Sequence, residues 1–195
     1  MIVDVYEHLT VTEPRPQVVQ VTLDLSQRTG ASVSTGLEGP AASLRSQEHI
    51  AAVMLRLRSI PQPVIAAVNG VAVGGGFALA CSSDVRLAAE SARFGVQFIK
   101  VGLSGCDVGV SDALPRLIGA SRAFELMLTA RMIDSAEADR IGFVSRVVAD
   151  GTVVEAALDL EHRTQILASH SGDFVEAITA FMEKRPPRFG RAGSD

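Results

Sequence analysis

The chain has 195 residues, 47% of them hydrophobic, and a formal net charge of −4 at neutral pH. That is enough apolar material for a full core in one domain, or one domain with an appendage. The mild negative charge gives no field for gathering nucleic acid or anionic lipid, and polar residues interrupt every apolar run before the roughly 18 to 20 residues that a membrane span needs.

The first sixteen residues, "MIVDVYEHLTVTEPRP", place acidic residues early and lack a basic region followed by an apolar segment. They do not read as a secretory signal, and a cytoplasmic location is expected. Cytoplasmic thiols stay reduced, so Cys81 and Cys106, neither in a CxxC, read as packed thiols, with a reactive thiol as the alternative. After the turn at "EPRP", the β-branched run "VVQVTLDL" predicts a strand over residues 18–25. The next stretch, "SQRTGASVSTGLEG", is small and polar and too short for a strand and helix of its own, so the early sheet is expected to be thin.

In "SQEHIAAVMLRLRSI", Ile50, Val53, Met54 and Leu57 recur at helical spacing, and Pro61 and Pro63 stop the helix. "PVIAAVNG" predicts a buried strand and "DVRLAA" another; residues 114–148 predict short helices before a last strand. "TVVEAALDLEHRTQILA" and "GDFVEAITAFMEKR" predict two closing helices, the second with Phe174, Ile178 and Phe181 on one side. Strands alternating with helices define an α/β class. The tail "EKRPPRFGR" is the one basic cluster, either solvated or able to meet a phosphate or a neighbouring subunit. The four histidines, His8, His49, His162 and His170, have no partner at metal-ligand spacing, and no metal is expected.

The segment "VNGVAVGGGFALACSSD" sets three glycines between apolar runs. Glycine reaches positive φ and lets a ligand approach the main chain. A strand, a "VAVGGG" loop and a helix "GFALACS" would present unpaired amides at a helix N-terminus, suited to negative charge. Tight strand-to-helix packing is the alternative reason for such glycines. A P-loop does not fit, because Phe77 and Ala78 stand where Lys and Ser/Thr are needed, and the spacing is not GxGxxG.

With "IPQPVIAAVNGVAVGGGFALACSSDVRLAAESARFG" followed by "VGLSGCDVGVSDALPRLIGASRAFELMLTARMIDSAEADRIGFVSRVV", the chain resembles the crotonase family of enoyl-CoA hydratases and isomerases. The resemblance implies a crotonase-like (ClpP/crotonase) α/β spiral of β-β-α units with C-terminal helices. Residues 1–150 would form the core, shortened near 25–39, and 151–195 a helical oligomerisation region. A strand-helix-strand stretch normal in the family is expected to be missing after Leu25, and a helical stretch near residues 160–162.

The resemblance also implies an acyl-CoA thioester substrate whose enolate oxygen is held by two backbone amides. Gly75, the middle glycine, matches one donor; Ala31 in "TGAS" matches the other, with Ser where the family has Asp. Gly30 and Gly74 flank these donors in the thioester cradle. The two carboxylates a hydratase needs are replaced by Ala78 and Phe98, which disfavours ordinary hydration.

Asp107 in "CDVG" matches the aspartate that shuttles a proton in dienoyl-CoA isomerases. An apolar pocket would suit it to proton transfer near neutral pH; a helix N-cap is the other reading. Asp112 and Glu125 are expected on solvated faces. The expected function is therefore isomerase-like proton transfer, with a non-catalytic acyl-CoA binder or scaffold subunit as the alternative. No bound cofactor is implied, coenzyme A entering as part of the substrate. The expected assembly is a homotrimer or dimer of trimers, with neither nucleic acid nor membrane as partner.

Overall fold

The computed structural model describes residues 9–15, 18–23, 40–169 and 172–189. The chain divides into two units, Met1–Leu44 and Arg45–Asp195. In the first, β1 (Leu9–Arg15) pairs antiparallel with β2 (Val18–Leu23), with an irregular register between Thr12 and Arg15. Strand β1 was not expected from the sequence. Pro14 within it is compatible with an edge position, where a missing amide costs no ladder bond.

Helix α1 (Pro40–Ser59) starts at Pro40, a residue whose fixed φ suits the first helical position, and ends before Pro61 as its sequence predicts. Of the predicted apolar stripe, Met54 is buried and Leu57 half-buried, whereas Val53 is exposed.

The second unit holds two three-stranded sheets. In one, β3 (Ile65–Val68), β5 (Val85–Ala89) and β8 (Arg146–Val148) run parallel in the order β3-β5-β8. In the other, β6 (Arg93–Gly95) lies between β4 (Val71–Val73), parallel to it, and β7 (Ile133–Asp134), antiparallel. The stretch "VAV", expected as a loop, is therefore strand β4. Helix α2 (Gly75–Ser82) follows at once and packs on β4.

The predicted short helices are α3 (Val110–Ile118), α4 (Ala120–Thr129) and α5 (Ser135–Arg140). Asp134 caps α5, its carboxylate accepting the Glu137 amide at 2.8 Å, a bond worth about 1 kcal/mol. Helix α6 (Val153–Ser169) runs unbroken through residues 160–162 and packs on β3 and β5; α7 (Gly172–Met182) follows. The basic tail turns back on α7. Arg185 grips the Glu176 carboxylate at 2.6 and 3.0 Å, and the Arg188 amide reaches the same group at 2.6 Å. These bonds, the Arg185 pair first, hold the Glu176 carboxyl down at about 2.

The core is built on a stacked pair, Phe77 from α2 and Phe143, with ring centroids 4.9 Å apart. Phe94 from β6 meets Phe143 edge-on at 5.3 Å, and such pairs add about 0.5–1.5 kcal/mol each beyond their buried area. Beneath them lies Arg86 of β5, buried at 6% exposure, its guanidinium 5.7 Å from the Phe143 ring centre. Its Nε donates to the Phe143 carbonyl at 2.6 Å, and its Nη1 to the carbonyls of Ser83 at 2.6 Å and Ala80 at 3.3 Å. The Ser83 carbonyl is an orphan acceptor at the C-terminal end of α2, and the Ala80 carbonyl beside it also accepts the Ser83 amide at 3.3 Å; the helix dipole at this end favours a cation as well. Burial lowers the Arg86 pKa from its ordinary value. The charge is held there by its three acceptors.

Among the described residues no helix is long and apolar enough to cross a membrane, and no group of His, Cys, Asp and Glu gathers as a metal site.

Two measurements check this core. Arg86→Met leaves the inward Phe143 and Ser83 carbonyls without their side-chain donor and is expected to cost on the order of 3 kcal/mol in urea unfolding; a loss below about 0.5 kcal/mol would show that the clamp carries no stability. Burial pushes the Cys81 thiol up to about 12, while Cys106 is exposed. A thiol reagent should therefore label Cys106 alone in the native chain and both cysteines in denaturant.

Candidate active site

Strand β4 delivers the chain to Gly74, whose amide donates to the Gly95 carbonyl at 3.3 Å and whose carbonyl accepts the Ala78 amide at 2.9 Å. These two bonds fix where α2 starts. Gly74 has φ +53° and ψ −118°, a conformation that needs glycine.

At Gly75 and Gly76 the reason for glycine differs. No described atom lies within 4 Å of where a Cβ would stand on either, so tight packing does not require glycine there. Their amides begin α2 and have no hydrogen-bond partner among the described residues. A helix start of this kind offers N–H donors and the positive end of the dipole to an incoming oxygen. The helix begins at Gly75, one residue earlier than the sequence suggests, which makes the Gly75 amide the first of the helix.

The flank of this corner is apolar. Ala78 lies one turn into α2, at 1% exposure. Phe98 opens the 3-10 turn Phe98–Val101, and its Cε1 is 3.6 Å from the Cβ point of Gly74. The Phe98 ring thus lies beside the glycine triplet. Its turn is secured by Gln97, which takes a left-handed φ of +55° and donates from Nε2 to the Ala130 carbonyl at 2.6 Å.

Asp107 starts the 3-10 turn Asp107–Gly109, which packs against α2 and leads into α3. Its Oδ1 accepts the Val108 amide at 2.8 Å and the side-chain amide of Gln47 from α1. Its Oδ2 has no partner among the described residues. The carboxylate is half-buried beside polar donors rather than set in an apolar pocket. It is not the cap of α3 either, because Gly109 holds that place. Val108 adopts φ +42° and ψ +37°, a left-handed conformation costing a β-branched residue on the order of 1–3 kcal/mol. Its buried side chain, packed into the core, helps hold that turn.

The structure thus places Gly74, Gly75, Ala78 and Phe98 at one corner and Asp107 on a turn packed against the same helix. Gly30 and Ala31, with the expected shortening at 25–39, lie outside the described residues, as do His8, His170 and the His49 and His162 side chains. Asp112 pairs with Arg116 at 2.7 Å and Glu125 with Arg131 at 2.6 Å on exposed faces, as expected. Gln47 and Arg86 were not singled out from the sequence. Helical periodicity put Gln47 on α1, but nothing in one sequence links it to a residue 60 positions away.

The profile of the enoyl-CoA hydratase/isomerase family matches residues 28–183 of the chain. A probable enoyl-CoA hydratase of Mycobacterium tuberculosis is 49% identical over 127 residues, covering 65% of this chain and 45% of that protein. The 1,2-epoxyphenylacetyl-CoA isomerase of Escherichia coli is 35% identical over 167 residues, 69% of this chain and 63% of that protein. The chain therefore spans about half the length of the mycobacterial relative. A crystal structure of a probable enoyl-CoA hydratase/isomerase from Mycobacterium abscessus superposes with a TM-score of 0.74 at 32% identity, covering 93% of this chain and 98% of that one.

Proposed function

The chain belongs to the enoyl-CoA hydratase/isomerase family, and from that premise we propose that it moves a carbon–carbon double bond in an acyl-CoA thioester rather than adding water to it. The observation that carries the reading is the Gly75 amide at the start of α2, without a partner among the described residues, with buried Ala78 on the same helix and the Phe98 ring beside Gly74.

In this reaction the thioester carbonyl rests against the Gly75 amide, with the Ala31 amide as second donor and Gly30 and Gly74 shaping the cradle. Loss of a proton from carbon sends its electron pair toward the carbonyl oxygen, giving an enolate. The two amides stabilise that developing charge. The Asp107 carboxylate takes the proton and returns it to a different carbon, so the double bond migrates and no atom is gained or lost.

Hydration needs groups to orient and activate water, and side chains 78 and 98 have no oxygen or nitrogen with which to do so. Among the relatives, the mycobacterial protein is named a hydratase and the Escherichia coli protein an isomerase. Their names leave both reactions open to this chain, and residues 78 and 98 favour the second. The same two residues favour the alternative, a non-catalytic acyl-CoA binder or scaffold subunit.

The proposal extends to assembly. Residues 1–150 are read as the core and 151–195 as the region that joins copies into a trimer or paired trimers, since Ile178 and Phe181 on α7 are 46% and 85% exposed.

A panel of enoyl- and dienoyl-CoA esters, with thermal-shift titration for binding, tests the reading. Asp107→Asn should bind the thioester as the unsubstituted chain does and lower kcat by roughly 10²–10⁴-fold. Gly75→Pro removes one N–H at the helix position where proline fits, and should keep the melting temperature while lowering kcat by about 10²–10³-fold. Binding without turnover in the unsubstituted chain supports the scaffold alternative. Turnover indifferent to Asp107→Asn removes the proposed proton carrier.

A further inference from the structure

We infer that Gln47 is a positioning residue for the proton-transfer step: its side-chain amide holds Asp107 Oδ1 and leaves Oδ2 as the oxygen that meets the substrate. The inference rests on the reading of Asp107 as the proton carrier and adds to it the group that orients that carboxylate.

Three observations converge on it. Gln47 is exposed on α1 and Asp107 is 60 residues further along the chain, so this bond ties a helix to a distant turn. Oδ1 receives a second N–H from Val108, the residue held at φ +42°. Two donors therefore converge on one oxygen while the other has no partner among the described residues. The turn itself is fixed on both sides, by buried Val108 packed into the core and by Gly109 at φ +83° starting α3. Its backbone sets where the Asp107 Cβ sits, and the Val108 amide at 2.8 Å restrains the carboxylate from the turn's own side. Gln47 is the described side chain that restrains it from α1.

The chemical type at position 47 matters as well. A lysine or arginine would also hold Oδ1, but its charge would stabilise the carboxylate and weaken it as a base. A carboxylate would repel it. A neutral amide N–H orients the group with the least bias between its two protonation states, which suits a residue that must both take up and give back a proton.

The test uses the full chain. Gln47→Leu should lower kcat about tenfold while KM and melting temperature stay within error, because the substrate still docks on the amides and only the proton carrier loses its aim. Gln47→Glu, which keeps the shape and loses the donor, should fall at least as far. In the Asp107→Asn background Gln47→Leu should cause no further loss, since the two residues act as one unit. An NMR readout independent of turnover accompanies these: the Gln47 side-chain amide resonance should shift on Asp107→Asn.

Unchanged kcat in Gln47→Leu, a loss shared by KM and melting temperature, or an unmoved Gln47 resonance would overturn the inference. Full activity in Asp107→Asn would instead overturn the underlying assignment of the proton carrier, so the two failures are distinct.

Discussion

The geometry of the site depends on a buried guanidinium that never approaches it. Arg86 caps the carbonyl end of α2 and ties it to the Phe143 carbonyl, while Phe77 from the same helix stacks on the Phe143 ring. An eight-residue helix is too short to be stable alone, so α2 exists because both its faces and one of its ends are held. At the other end the amides have no hydrogen-bond partner among the described residues. Fixing the C-terminal end in the core therefore fixes the direction in which the Gly75 N–H points, and it does so without a side chain near the reacting atoms.

Around that donor, the proposed reading places the choice of reaction in side chains that are easy to exchange. Ala78 and Phe98 are packed and apolar, and the Phe98 ring stands against Gly74. In the proposed reading this wall excludes water from the face of the enolate, and the proton must come and go through Asp107. The two relatives carry the names of both reactions, which agrees with the proposed main-chain cradle that serves each and side chains that select between them.

How far the sequence foretold this depended on the range of the interaction. Apolar runs bounded by Pro and Gly located β3, β5 and the helices from α3 to α7, because each is a local pattern of period two or 3.6. The bend at the triple glycine was legible because positive φ at Gly74 leaves a residue-type signature. Val108 leaves none: a valine at φ +42° contradicts its local preference and is held by packing that only the folded chain supplies. The three-residue strand β4 is likewise a product of its pairing with β6, since "VAV" alone is no more strand than loop. Arg86 reads as an ordinary cation in a strand until the carbonyls of α2 are brought over it. Asp107 stands among hydrogen-bond donors rather than in an apolar pocket, and one of those donors, Gln47, comes from 60 residues away, beyond the reach of any local pattern.

The two halves of the proposed chemistry are thus built to different standards of rigidity. The proposed donor for the enolate oxygen is a backbone amide at the end of a helix anchored in the core through Phe77 and Arg86, so charge stabilisation there needs no reorganisation during the reaction. The proposed proton carrier is a side chain on a strained turn, steered near the surface by two neutral N–H donors on one oxygen, from Val108 and Gln47. That asymmetry follows from the work each must do. An oxygen that only gains charge is best met by a group that cannot move, whereas a carboxylate that takes a proton from one carbon and delivers it to another must swing between two positions. A rigid salt bridge to Asp107 would defeat that motion, and an unrestrained carboxylate would seldom be aimed. A glutamine bond to one oxygen, with no partner on the other among the described residues, meets both requirements.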